Sequence, residues 1–174
     1  MGRTKTINLR LFTAFLFALV PILFLTPWFP QWKLTYFAPF LVITFYKKPL
    51  ETCLWLGLIS GLIMDLLSSQ HHLGIHALNY CLTISLLYSQ KQYFFEDSLS
   101  TIPIMTFFFA VISTILQVPL YALFEKGIPL SQDWIIKDLL VMPLIDALYG
   151  FIWFTLPAIF LPRNPKREYF LDES

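Results

Sequence analysis

The chain has 174 residues, of which 57% are hydrophobic, 18% aromatic and only 13% charged. A soluble domain of this size needs more polar surface than that, so the composition predicts an integral membrane protein. A net charge of +1, with no Lys/Arg run interleaved with aromatics, excludes a nucleic-acid binder.

Charge and proline clusters divide the chain into six apolar spans, residues 11–29, 35–46, 52–67, 73–88, 102–124 and 139–161. The first follows Arg3, Lys5 and Arg10 and so resembles a signal peptide. It is longer than a usual signal core, however, and Thr26-Pro-Trp-Phe-Pro-Gln31 offers no small-x-small cleavage site, so it reads as an uncleaved first transmembrane helix. The first, fifth and sixth spans meet the requirement of about 20 residues for a spanning helix. The second is short and carries Pro39, which suits a re-entrant or tilted segment. The spans make one all-α, polytopic membrane domain over residues 1–174, with a short tail at 163–174 and its longest loop, about 125–138, on the outer side.

Six crossings put both ends on one side. Arg3, Lys5, Arg10, Lys47, Lys48, Lys91, Arg163, Lys166 and Arg167 fall on the side of the termini, against Lys33, Lys126 and Lys137 on the other. This positive-inside bias predicts cytoplasmic termini, with Trp28, Trp32, Tyr46, Trp55 and Trp134 near the headgroup levels. Cys53 and Cys81 lie inside apolar spans without CxxC spacing and read as small core hydrophobes.

In Gly57-Leu-Ile-Ser-Gly61-Leu-Ile-Met-Asp65, four-residue spacing stacks two glycines and a carboxylate on one helix face. The glycines open a groove where a helix backbone can approach closely, within the fold or from another subunit. Asp65 falls in the last turn of its helix, where the macrodipole disfavours it, so His76, Lys137 or a loop amide must hold it. Counted inward from the outer ends, Asn79, Gln117 and Asp146 share a layer at roughly 10 Å, with Asp65 and His76 shallower. That layer could form an outer-leaflet pocket. Asp146 is its most unfavourable member, since a charged carboxylate at depth costs about 2.5–3.5 kcal/mol and demands a partner or a proton. His71, His72 and His76 suggest a metal only weakly, because adjacent side chains point apart and Asp65 is the only nearby carboxylate. No metal or cofactor is implied.

Two aspartates in the outer leaflet could in principle form an acid/base dyad, as in lipoprotein signal peptidases. Those sit in Asn/Arg/Ala-rich surroundings, whereas here the contexts are Gly-Leu-Ile-Met-Asp65-Leu-Leu and Pro-Leu-Ile-Asp146-Ala-Leu-Tyr. There is also no Gly-x-Ser-x-Gly elbow, no HExxH and no P-loop, so no enzyme is expected.

The run Gly57 to Asp65-Leu-Leu-Ser-Ser, the short turn, and Leu73-Gly74-Ile75-His76-Ala77-Leu78 resemble the rod shape-determining protein MreD family over about residues 48–88; the remainder agrees in hydropathy alone. The matching positions are Gly57, Gly61, Asp65, Gly74 and His76. The resemblance implies a non-enzymatic subunit of the bacterial inner membrane, working with MreC, MreB, RodA and penicillin-binding synthases in side-wall peptidoglycan synthesis. That family is similar in fold to the substrate-binding subunits of energy-coupling-factor vitamin transporters, which implies an alternative: a small-molecule-binding subunit using Asn79, Gln117 and Asp146.

Overall fold

The computed structural model describes residues 2–28, 34–67, 73–90, 101–124 and 131–157. These form six helices with no strand among them: α1 Gly2–Trp28, α2 Ala38–Lys47, α3 Leu50–Leu67, α4 Ile75–Tyr88, α5 Thr101–Phe124, and α6 over 132–155. α3 and α5 are long and apolar enough to cross a membrane, yet only 28% and 22% of their apolar stretches are buried. The core helix of a soluble protein would be mostly buried. Here the outward faces are apolar instead, with Trp55, Leu66, Leu86, Leu123 and Leu148 exposed while Thr44, Ser60, Asn79, Thr83, Thr106 and Ser113 are buried. An apolar outer surface around a core that also holds polar side chains is the arrangement expected where lipid is the solvent.

The shortest helix is the centre of the bundle. α2 has 10 residues, about 15 Å by the helical rise, and packs against α1, α3, α5 and α6. Seven of its side chains are buried. Pro39 does not interrupt it, because it falls in the first turn, where a missing N–H leaves no helical bond unmade. The preceding Leu34, Thr35, Tyr36 and Phe37 are non-helical and buried as well. Irregular backbone that is buried must have its polar groups paired. The Thr35 carbonyl accepts from Ala38 N, and the Thr35 N–H finds a side chain described below.

Prolines explain the irregularities of the long helices. α6 alternates between Gln132–Trp134 (α), Ile135–Val141 (π), Met142–Gly150 (α) and Phe151–Thr155 (π). Each π segment ends two residues before a proline, Pro143 or Pro157. A proline cannot donate to the carbonyl four residues back, and the helix ahead of it widens so that Met142 N–H reaches Lys137 O and Leu156 N–H reaches Phe151 O. The start of α6 also corrects the expected outer loop 125–138. The chain is helical from Gln132 onward because Ser131 Oγ caps the Trp134 N–H at 3.2 Å.

In α1, Pro21 leaves the Phe17 carbonyl without its intrahelical donor. The Trp153 indole of α6 supplies one at 2.9 Å and stacks on the Phe17 ring with centroids 4.8 Å apart. This docks α1 onto α6. Gly150 allows α6 to close on α2 and α5: a Cβ there would lie 3.2 Å from Thr106 Oγ1 and 3.3 Å from Pro39 Cγ.

Candidate functional site

α3 and α4 form an antiparallel hairpin whose contact face is the Gly57, Gly61, Asp65 stripe. A Cβ on Gly61 would lie 2.5 Å from the Ala77 nitrogen and 2.8 Å from the His76 carbonyl carbon, so this glycine admits the backbone of α4 itself. At Gly57 the neighbour is the Ile84 side chain. The groove expected from the Gly-x-x-x-Gly spacing is thus filled from within the fold.

One turn further along, Asp65 is 2% exposed and reaches across to the start of α4. Its Oδ2 accepts from Gly74 N–H at 2.9 Å and Ala77 N–H at 3.3 Å. Its Oδ1 accepts from His76 N–H at 3.0 Å and lies 2.8 Å from His76 Nδ1. The first N–H groups of a helix have no intrahelical partner and carry its positive dipole end. Asp65 therefore exchanges the unfavourable end of its own helix for the favourable end of the next. Gly74 makes the turn possible, since its φ of 103° is strained for any residue with a Cβ. Of the three holders considered from sequence, His76 and the loop amides take the role; Lys137 is exposed on α6. The pair also fixes the orientation of the imidazole through its Nδ1.

The layer of Asn79, Gln117 and Asp146 is divided. Asn79, fully buried on α4, donates through Nδ2 to Ser113 Oγ of α5 at 2.7 Å. Gln117, one turn beyond Ser113, is only half-buried. Asp146, 1% exposed, turns to the chain ahead of α2, where its Oδ1 accepts from Thr35 N–H at 2.9 Å and its Oδ2 from the Thr35 hydroxyl. Both hydrogen-bond donors of one non-helical residue are satisfied by one carboxylate. Beside it, the Tyr149 hydroxyl donates to Tyr36 O at 3.4 Å, a second tie between α6 and the same strand of irregular chain. Tyr80 is fully buried on α4 and packs edge-on against Phe109 of α5, with ring centroids 5.7 Å apart.

Thr35, Ser113 and Trp153 were not singled out from sequence. A signal existed for one of them: an interior Pro21 announces an orphaned Phe17 carbonyl, although not its donor. The Cys53 and Cys81 thiols donate to the backbone carbonyls of Thr44 and Leu54. His71 and His72 lie outside the described residues, among which no group of three His, Cys, Asp or Glu gathers. No protein-family model matches this chain, and no curated protein or solved structure does.

Proposed function

We propose that the chain is a membrane subunit of the rod shape-determining MreD type, crossing the bacterial inner membrane six times with both termini in the cytoplasm. In this reading it has no catalytic role of its own. It assembles with MreC, MreB and RodA to position peptidoglycan synthesis. The observation that carries the proposal is the convergence of Gly57, Gly61, Asp65, Gly74 and His76 on one hairpin: the residues behind the resemblance are one structural unit. The apolar outward faces of the bundle support the membrane setting.

The alternative, a transporter's substrate-binding subunit, draws on a shared polar layer. Asn79 and Asp146 are each engaged by a partner from another part of the chain, which favours the scaffold. Detergent co-purification of tagged full-length protein, with mass spectrometry of what is retained, distinguishes the two. Recovery of MreC and wall-synthesis subunits supports the scaffold. Recovery of paired ATPases with a membrane coupling subunit overturns it in favour of the transporter.

A further inference from the structure

The lipid-facing surface of the bundle is not of uniform height. On α5, exposed apolar side chains run from Ile104 to Phe124, which is about 30 Å along the helix and matches a bilayer hydrocarbon core. On the α3–α4 hairpin, which packs on α5 through α4, the exposed apolar side chains among the described residues run only from Trp55 to Leu67 on α3, about 18 Å, and from Leu73 in the turn to Leu86 on α4, about 20 Å. Polar groups bound this flank closely. Glu51 is exposed one turn before Trp55, and the exposed Ser89 follows Leu86 just past the end of α4. The turn that closes the hairpin at Gly74 is held to Asp65, so α3 and α4 cannot lengthen there without breaking that carboxylate's bonds.

We propose that the α3–α4 flank sits in a locally thinned bilayer and collects lipids with short acyl chains, while α5 contacts bilayer of ordinary thickness. The inference rests on the membrane reading above. Hydrophobic mismatch is relieved by thinning at a modest free-energy cost per ångström. A short flank clamped to a long one by shared core packing has thinning as its available response, because tilting the whole bundle to suit α5 does not lengthen α3 or α4.

Trp55, 67% exposed at the edge of the short band, is a native reporter. The full-length protein would be reconstituted in vesicles of unlabelled dioleoyl phosphatidylcholine containing equal mole fractions of brominated myristoleoyl or brominated oleoyl phosphatidylcholine, which carry bromine at the same chain carbons and differ in length. The quenching lost in Trp55→Phe isolates Trp55, and Phe108→Trp adds a reporter on α5. We expect Trp55 to be quenched about twofold more by the short-chain lipid, and the α5 reporter to show no such preference. Equal quenching of Trp55 by both lipids overturns the thinned flank and leaves the membrane reading intact. No quenching of either reporter overturns both.

Discussion

Two buried carboxylates hold this molecule together by opposite means. Asp65 is bound by groups 9 to 12 residues away, three of them backbone N–H groups at a helix start, so these bonds all lie within a single hairpin. Asp146 is bound by one residue 111 positions away and joins the last helix to the irregular chain that feeds the central one. The first is a local joint. The second is a long-range tie that exists only once the bundle has closed. The difference teaches that a buried acid in a helical bundle is not by itself a pocket: each one here completes the hydrogen bonding of backbone that helix geometry leaves unpaired.

That comparison can be broken most severely at the local joint. Gly61→Leu places a side chain against the α4 backbone, which has no flexible end to move. We expect a loss of about 4 kcal/mol or more, read as loss of a monodisperse species in detergent. Gly57→Ala is expected to cost only about 1 kcal/mol in denaturant titration, because its neighbour is the mobile end of Ile84. Next in size, Asp65→Ala orphans the N–H groups of Gly74, His76 and Ala77 together and should destabilise by about 3 kcal/mol. Protease cleavage near the hairpin turn, with the rest of the bundle still protected, would show that the damage stays local.

The long-range tie sharpens the contrast. Asp146→Ala leaves the Thr35 N–H and hydroxyl unpaired and should cost about 2 kcal/mol, whereas Asp146→Asn keeps an acceptor for the N–H and should cost about 1 kcal/mol or less. Thermal unfolding of both variants in one detergent checks the order; an Asn variant as damaging as Ala would mean the charge matters more than the bonds. The smallest effect is expected at Trp153→Phe, about 1 kcal/mol from the freed Phe17 carbonyl. Adding Pro21→Ala to that variant should recover part of the loss, since an alanine N–H at position 21 can bond the same carbonyl.

The legibility of these features follows their range. The stripe Gly57, Gly61, Asp65 and the turn at Gly74 were readable because a helix face and its next turn are written within 20 residues. The ends of α3, α4 and α5 fell within two residues of the apolar spans 52–67, 73–88 and 102–124. Thr35 offered no pattern, being one threonine beside an apolar run. The π segments had a visible cause in Pro143 and Pro157, but a proline alone does not say whether a helix kinks, ends or widens.

Composition and local spacing determined that the chain is helical, apolar and hairpin-forming over residues 50–88, because those properties rest on propensity, hydropathy and contacts between near neighbours. Only the tertiary structure decided that the shortest helix is the core, that Asp146 serves Thr35, and that one flank presents a shorter apolar band than the other. The reason is physical. In a soluble protein the contrast between apolar and polar faces marks inside from outside, whereas outward-facing and core-facing residues here are both largely apolar, so periodicity cannot tell them apart.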